Sequence, residues 1–342
     1  MHMADALLSP AVAMTMNAVS VAAIGVSVAK VKKYDFSEKM VPIMGVAGAL
    51  VFAGQMINFA IPGTGSSGHI GGGILLAGLL GGIPAFLSIA AILIIQCLFF
   101  ADGGLLALGS NIFVLGVIPC LVIYPFVFKP LLRGRTGYKR LSAASIVSVI
   151  LGLGLGAFGV VLLTLFSGIT ALPFGTFVAL MLPIHLVIGL LEGIITAAVL
   201  CFIYKMRPEI IDAAQSGERL GSVSVKKVVI ILAITALVVG GALSLFVSSH
   251  PDGLEWSIAK TTEHSLGEET ELEAEGGIFD GAANVQDRTT ILPDYSFASD
   301  PESAAGTSVS GLIGAAITFA VACAVGFMIT RVKKNKKIMK NA

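Results

Sequence analysis

Charged side chains are scarce in this chain of 342 residues: they make up 13% of it, whereas hydrophobic residues make up 56%. Soluble domains carry about 25% charged residues, so the composition excludes an ordinary soluble protein and indicates one that crosses a membrane several times. The net charge is only +1, without the basic surface that nucleic-acid binding requires. We therefore expect membrane lipid around the protein and no nucleic acid.

Cysteine is rare too, and nucleotide-binding and catalytic motifs are missing. The four cysteines lie in separate apolar stretches without a C-x-x-C pair, which favours buried packing residues over disulfides or metal ligands. The sequence contains no G-x-x-x-x-G-K-[ST] phosphate loop, and GTGSSG at 63–68 lacks the strand–helix context of a dinucleotide site. No catalytic triad or carboxylate pair stands out. We expect a protein that is not an enzyme and holds no cofactor.

Long apolar segments fill most of the chain, and a helix that spans a bilayer needs about 20 such residues. They predict an all-α fold, a polytopic membrane helix bundle of about seven spans followed by a C-terminal two-helix hairpin with a large outer loop. Whether 71–100 is one span or two stays open, because 71–83 is short and rich in glycine. The expected spans are 6–30, 40–60, 71–83 with 84–100, 108–130, 142–166, 175–204, 226–247 and 309–330.

Clusters of basic residues indicate which connections are cytoplasmic, since cytoplasmic loops carry an excess of lysine and arginine. Alternating the spans between these clusters puts the N-terminus outside the cell and the C-terminus in the cytoplasm, which requires an odd number of spans. The clusters are KVKK at 30–33, KPLLRGRTGYKR at 129–140, YKMRPE at 204–209, SVKK at 224–227 and RVKKNKKIMK at 331–340.

Acidic residues concentrate in one outer loop, 248–308, which contains 13 of the 21 in the chain and its single tryptophan. The acidic run at 263–275 is typical of a solvated, poorly packed segment. The flanking sequences PDGLEWS and LPDYSF are typical of turns with aromatic anchors at the membrane surface. We therefore divide the chain into a membrane domain over 1–210 and a helical hairpin over 225–335.

The first residues, MHMAD, lack the positive charge of a signal peptide. We expect Met1 to remain, because removal of the initiator methionine generally requires a small second residue, and His2 is large.

Three nitrogens at the chain start can chelate one metal ion. The amine of Met1, the backbone nitrogen of His2 and the His2 Nδ1 can close a five-membered and a six-membered chelate ring. The amide must lose its proton, and square-planar nitrogen sites of this kind favour Ni²⁺ and Cu²⁺.

One in-plane position remains in such a site, and His69 is the candidate to fill it. His69 lies in a glycine-rich segment that we expect on the same side of the membrane as the N-terminus. The alternatives are a solvated histidine near the chain start and a hydrogen-bonded loop histidine. Other polar residues could hydrogen-bond these ligands or act only as structural caps or pairs. They are Gln55, Asn58, Asp102, Asn111, and the pair His185 and Glu192, which are two helical turns apart on one helix face.

Four segments together resemble the substrate-capture, or M, component of the group II energy-coupling-factor transporters for nickel and cobalt. They are MHMADALLSP, QMINFAIPGTGSSGHIGGG, FFADGGLLALGSNIFVLG and HLVIGLLEGIITA. Residues 225–335 resemble the small N component of the same systems, here fused to the first. The resemblance implies metal-ion uptake, with the metal bound by Met1, His2 and His69. It also implies a prokaryotic inner membrane and, as partners, a transmembrane coupling (T-type) protein and two cytoplasmic ATPase subunits.

The residues after His2 indicate the metal. Many cobalt-type relatives begin Met-His-Ile-Pro-Asp-Gly, whereas this chain begins MHMADA and is more similar to nickel-type members, so we expect Ni²⁺ as the transported substrate. Uptake of Co²⁺ for cobalamin synthesis is the alternative within the same mechanism. A secondary metal transporter would need intramembrane coupling carboxylates, and few are available beyond Asp102 and Glu192. A membrane sensor or assembly factor would instead make the outer loop the working part.

Overall fold

The structure, a computed structural model, describes residues 1–31, 38–134, 136–266, 276–300 and 303–341, and from residue 331 onward it describes the helical backbone alone. Most of the acidic run, at 267–275, lies outside the described residues, as do parts of the basic clusters at 30–33 and 129–140 and the side chains of the cluster at 331–340.

Helices make up most of the described chain, which confirms the predicted all-α membrane bundle. In lipid a backbone must satisfy its own N–H and C=O groups, and a helix does so within one segment. The helices are α1 (Pro10–Val31), α2 (Met40–Gln55), α3 (Gly73–Leu80), α4 (Gly82–Phe100), α5 (Leu108–Leu131), α6 (Tyr138–Ser167), α7 (Phe174–Met206), α8 (Pro208–Ser216), α9 (Lys226–Phe246), α10 (Gly253–Leu266), α11 (Ile278–Thr289) and α12 (Ala304–Asn341). Seven of them are long and apolar enough to cross a membrane, namely α1, α4, α5, α6, α7, α9 and α12.

Two of the expected spans are shorter helices. α2 has 16 residues and α3 has 8, fewer than the roughly 20 that a span needs, and nearly all of their residues are buried. Gly81, with φ 82° and ψ 161°, separates α3 from α4. Residues 71–100 are therefore two helices, and only α4 is long enough to cross the membrane.

Helix α5 packs closely on α3 and α4. It winds as a wider π-helix over Phe113–Phe128, which includes Pro119 and Pro125, and a proline removes an N–H donor from the helix and displaces the preceding turn. A Cβ at Gly73 would lie only 2.6 Å from the Cγ of Pro119, and one at Gly82 would lie 2.5 Å from a carbonyl oxygen of α5. Glycine at these two positions lets the three helices come together beneath the segment that contains His69.

A small β-hairpin before His69 is the one feature of the membrane domain, within the described residues, that the all-α prediction did not include. β1 (Phe59–Ile61) pairs antiparallel with β2 (Ser66–Gly68). The turn between them contains Gly63 and Gly65 at φ 78° and 72°, a backbone region that glycine enters without steric cost. The GTGSSG stretch thus forms a tight turn and a strand that leads directly into His69.

The C-terminal helices pack against the membrane domain. α9 and α12 both lie along α2, and α10 packs on α7. Gly240 of α9 and Gly311 of α12 are in backbone contact, since a Cβ at Gly311 would overlap the carbonyl of Gly240. Small residues allow helices in a membrane to approach this closely.

The flanks of the outer loop both make contacts with the bundle. PDGLEWS begins helix α10, and the indole Nε1 of Trp256 donates a hydrogen bond to the Thr64 carbonyl at 3.0 Å. LPDYSF forms a 3₁₀ turn whose Tyr295 ring stacks on Phe100 with centroids 5.0 Å apart. Each of these aromatic rings has its partner within the protein, so both flanks are docked on the bundle.

Candidate metal site

The first residues of the chain run into the interior of the bundle. Met1 is only 4% exposed, and Met3 and Leu8 are completely buried. Asp5 ties the segment to the loop before α5, because its Oδ1 accepts a hydrogen bond from the backbone N–H of Ala107 at 2.8 Å. The apolar start of the sequence therefore places an amino group and an imidazole inside the protein.

Backbone hydrogen bonds hold this segment against α5 and the loop before it. The N–H of Met3 donates to Asn111 Oδ1 at 2.7 Å, and Asn111 Nδ2 donates back to the Met3 carbonyl at 3.2 Å. The N–H of Gly104 donates to the same carbonyl at 3.0 Å. Asn111, which the sequence singled out for contact with the terminal segment, makes that contact and fixes where Met1 and His2 lie.

The amino group of Met1 lies between His69 and an aspartate. It is 2.8 Å from His69 Nε2 and 2.5 Å from Asp252 Oδ2. On its other edge, His69 Nδ1 is 3.1 Å from the carbonyl of Ile70, which assigns the ring proton to Nδ1. The lone pair of Nε2 then faces the amine, so two of the expected nitrogen donors converge on one point.

His2 lies beside these groups, with its ring stacked on that of His69 at a centroid separation of 5.4 Å and an interplanar angle of 15°. Its Nδ1 is 3.1 Å from Asp102 Oδ1, and its Nε2 is buried without a hydrogen-bond partner among the described residues. Burial, opposed in part by Asp102, lowers the pKa of His2 to about 4. The imidazole is therefore neutral near pH 7, the form that binds a metal.

Asp252 is a residue of this site that the sequence analysis missed. Its Oδ2 bonds the Met1 amine and lies 3.8 Å from His69 Nε2. Burial raises the pKa of Asp252, but the Met1 ammonium, the largest opposing influence, helps to hold the pKa well below its usual value. Asp252 therefore supplies a negative charge at the point where the nitrogens converge.

One sequence signal could have drawn attention to Asp252. Residues 252–255 read D-G-L-E, the pattern of a helix capping box. Asp252 Oδ1 accepts the backbone N–H groups of Leu254 at 2.8 Å and Glu255 at 2.9 Å, and Glu255 Oε2 accepts the N–H of Asp252 at 3.0 Å. The pattern marks the start of α10, but nothing in it indicates that the second carboxylate oxygen reaches Met1.

Glu192 and Gln55 act on the backbone just after His69. The two carboxylate oxygens of Glu192 accept the N–H groups of Gly71 and Gly72 at 2.9 and 2.8 Å. Gln55 Nε2 donates to the Gly71 carbonyl at 2.8 Å. Both side chains therefore fix the glycine segment and, through it, the position of His69, without a hydrogen bond to the imidazole.

His185 and Asn58 have different partners from those expected. His185 does not pair with Glu192: its Nδ1 is 2.8 Å from the Met181 carbonyl, and its ring lines a small cavity together with Met1, His69 and Asp252. The Asn58 carbonyl accepts the N–H of Ser248 at 2.9 Å. In the part of the chain that the structure describes, the Asn58 amide makes no hydrogen bond to Met1, His2 or His69.

Asp102 connects His2 to the outer loop. Its Oδ1 faces His2, and its Oδ2 accepts the hydroxyl of Tyr295 at 2.5 Å. Ala101, Asp294 and Tyr295 have φ values of 56°, 47° and 58°, in the left-handed region that costs free energy for residues other than glycine. Strain of this kind concentrates at functional sites, and here all three positions adjoin Asp102.

Among the residues that the structure describes, side chains alone do not form a cluster for a metal ion. Within the described residues, no group of three or more His, Cys, Asp or Glu side chains is arranged to hold a metal ion. The nitrogens of Met1 and His2 are therefore needed if a metal is to bind beside His69. An amine, a deprotonated amide and two imidazoles form an all-nitrogen donor set.

Known proteins are similar to this chain in sequence and fold. Residues 2–210 match the CbiM family, described as the cobalt uptake substrate-specific transmembrane region, and residues 226–331 match the PDGLE domain. A NikMN-type relative from Archaeoglobus fulgidus is 31% identical over 97% of this chain and 98% of its own. The fused nickel transport protein NikMN of Rhodobacter capsulatus is 28% identical over 94% of this chain and 95% of its own.

Two further likenesses concern the membrane domain. The cobalt transport protein CbiM of Sorangium cellulosum is 33% identical over 51% of this chain and 77% of its own. The crystal structure of a truncated transition metal transporter superimposes with a TM-score of 0.53 and 30% identity, and covers 60% of this chain and 99% of that one. The chain belongs to the CbiM family of substrate-specific transmembrane proteins and joins such a domain to a C-terminal PDGLE domain.

Proposed function

We propose that this protein captures Ni²⁺ outside the cell and delivers it inward as part of an ATP-driven energy-coupling-factor transporter. The observation that supports this most directly is the buried amine of Met1, 2.8 Å from His69 Nε2 and beside His2. Two of the expected donors, the amine and His69 Nε2, therefore lie together inside the protein with the His2 ring beside them, which supports the proposed site. Family membership supports metal uptake as the general activity.

The proposed binding step replaces protons by the metal. Ni²⁺ takes the lone pairs of the Met1 amine, the His2 amide nitrogen, His2 Nδ1 and His69 Nε2. In the structure His2 Nδ1 faces Asp102, so the imidazole has to turn until Nδ1 faces its own backbone nitrogen. Because the amine and the amide both lose a proton, affinity falls as the solution becomes more acidic.

Nickel is the preferred substrate in this proposal. A deprotonated amide in a square-planar set best suits Ni²⁺ and Cu²⁺ among divalent metals. The relative of Rhodobacter capsulatus, which covers nearly the whole chain, is named a nickel transport protein. Cobalt is the second candidate, because the family description and the Sorangium cellulosum relative both refer to cobalt.

Partner subunits supply the energy in this proposal. The sequence has no phosphate loop for ATP, so a transmembrane coupling protein and two cytoplasmic ATPase subunits would drive reorientation of the site. An ion-coupled secondary transporter would instead need carboxylates that are able to exchange partners. Asp102 is bonded to Tyr295, and Glu192 to two backbone N–H groups, which argues against that alternative.

The first test is the metal content of the purified chain with its native, untagged N-terminus, after equilibration with equal Ni²⁺, Co²⁺, Cu²⁺ and Zn²⁺. We expect about one nickel per chain, and loss of at least about tenfold in affinity in His2→Ala and in His69→Ala. His264→Ala is the matched control, since His264 is exposed at the end of α10.

Each outcome bears on a different part of the proposal. One bound cobalt would retain the site and overturn the substrate. Nickel retained unchanged in His2→Ala, or in a chain with one residue added before Met1, would overturn the N-terminal site. Co-purification with an ATPase pair tests the energy source, and uptake that persists without such a pair would contradict the ATP-driven mechanism.

A further inference from the structure

The segment that begins α10 is docked on the β-hairpin before His69. The N–H of Ser67 donates to the Pro251 carbonyl at 2.8 Å, and the Ser67 hydroxyl donates to the His250 carbonyl at 2.8 Å. Trp256 Nε1 donates to the Thr64 carbonyl at 3.0 Å. These bonds tie a segment of the PDGLE domain to the strand that leads into His69, about 180 residues earlier in the chain.

Asp252 lies at the centre of this contact and uses its two carboxylate oxygens differently. Oδ1 caps helix α10 through the N–H groups of Leu254 and Glu255, while Oδ2 bonds the amine of Met1. The cap fixes the carboxylate relative to α10. The docking of α10 on the β-hairpin then fixes the same carboxylate relative to His69.

Gly253 sets how deeply this segment can dock. A Cβ at Gly253 would lie 2.8 Å from Ile188 Cδ1, closer than real Cβ contacts, and 3.0 Å from His185 Cε1, tighter than most of them. The backbone after Asp252 therefore packs tightly against α7, and the absence of a side chain at residue 253 makes room for this approach. This approach brings the carboxylate to the amine.

The Met1 amine needs such a partner. The side chain of Met1 is only 3% exposed and that of Asp252 14%, and the hydrogen bond between the amine and His69 is buried. The ammonium of the metal-free protein is therefore removed from water. A buried charge without a partner is strongly unfavourable, and a chain terminus can avoid that cost by leaving the interior. The Asp252 carboxylate stabilises the ammonium inside the protein. The same negative charge also compensates the positive charge of a bound metal.

We infer that Asp252 is a positioning residue of the metal site, supplied by the C-terminal hairpin, and that its Oδ2 holds the Met1 amine against His69 Nε2 so that the metal is captured with high affinity. The inference rests on the proposed function, because it assigns a role at the same site. It makes the PDGLE domain a part of metal capture, in addition to any role that domain has in transport.

The test is Asp252→Asn in the full-length chain, since asparagine caps a helix as well as aspartate does but has no negative charge. We expect Ni²⁺ to bind at least about tenfold more weakly, in the range typical for loss of groups that orient a metal ligand. At saturating Ni²⁺ the visible absorption spectrum should equal that of the wild type, because the four nitrogen ligands are unchanged. Asp280→Asn, an exposed aspartate in the first turn of α11, is the matched control.

A second measurement reads the position of Met1 directly. In metal-free protein, the rate at which an acylating reagent modifies the α-amine should rise in Asp252→Asn and stay unchanged in Asp280→Asn. If Asp252→Asn proves unstable, Asp252→Ser replaces it, because serine also caps a helix. An unchanged affinity or an unchanged acylation rate would overturn the positioning role.

Two other outcomes separate this inference from the proposed function. A changed spectrum at saturating Ni²⁺ would mean that Asp252 is itself a ligand, and would overturn the inference in its present form. Failure of the wild type to bind any of the four metals would overturn the proposed function. The acylation rates in metal-free protein would then still decide whether Asp252 holds the amine.

Discussion

At the scale of single residues, Gly104 decides whether the chain start can lie in the bundle. Its N–H donates to the Met3 carbonyl at 3.0 Å, and a Cβ there would overlap the carboxylate of Asp5 and lie 2.5 Å from its backbone nitrogen. We predict that Gly104→Ala lowers stability by about 1–3 kcal/mol, as overpacking does. Ni²⁺ should bind at least about tenfold more weakly, since the ligand backbone shifts.

The control for Gly104→Ala is Gly25→Ala, because a Cβ at Gly25 has nothing within 4 Å. Alanine there should leave metal affinity unchanged and slightly favour helix α1. Thermal unfolding and nickel titration of the two variants decide the point. Equal affinities in both variants would mean that the chain start binds metal without its contact to the loop after α4.

The sequence identified part of the site through the chemistry of single residues. A histidine at the second position can chelate a metal ion together with its own backbone nitrogen and the terminal amine. This local property was enough to select Met1 and His2. His69 followed from its glycine-rich setting. Asp252 could not be found in this way, because it is 251 residues from the amine that it bonds and such a contact exists only in the folded chain.

At the scale of elements, the close contact of α9 and α12 attaches the C-terminal hairpin to α2. Gly311 lies against the backbone of Gly240, whereas a Cβ at Gly241 would make only ordinary contacts, the nearest at 3.4 Å to Leu312 Cδ2. We predict that Gly311→Ala weakens this attachment by about 1–3 kcal/mol, and that Gly241→Ala, the matched control, does not.

A protease site placed in the linker 217–225 makes the attachment measurable. After cleavage in detergent, the two fragments of the Gly241→Ala protein should elute together from a sizing column, because helix packing rather than the linker holds them. The fragments of Gly311→Ala should separate in part. Co-elution to the same extent in both variants would show that the glycine contact does not hold the hairpin in place.

Helix type and the positions of the long helices followed from the sequence, whereas the short helices and strands did not. Hydropathy identifies an apolar helix but cannot distinguish one that faces lipid from one buried by its neighbours, so the segment 40–60, which contains α2, was expected to be a full span. The strands β1 and β2 have three residues each and consist partly of serine and glycine, so they show no β pattern. The break at Gly81 was foreseen as a possibility, because glycine is the residue that permits it.

At the scale of the whole molecule, both flanks of the outer loop end at the candidate site. Asp252 reaches Met1 from one flank, and Tyr295 reaches Asp102 from the other. The acidic composition predicted a solvated outer loop. Separately, the aromatic residues in its flanks predicted anchors at the membrane surface. The docking depends on tertiary contacts to β2 and α4, which composition does not encode.

The orientation of the molecule decides which direction of transport the site can serve. We predict that a membrane-impermeant maleimide labels the variant His264→Cys in intact cells, because α10 belongs to the outer loop. The variant Ser222→Cys should react only after permeabilisation, since the linker lies between two basic clusters and these mark the cytoplasmic side. Both positions are exposed, and the wild type, with two of its four cysteines buried and two partly buried, gives the background. The reverse pattern would put the chain start and Asp252 on the cytoplasmic side, and the site would then receive metal from inside the cell and could not serve uptake.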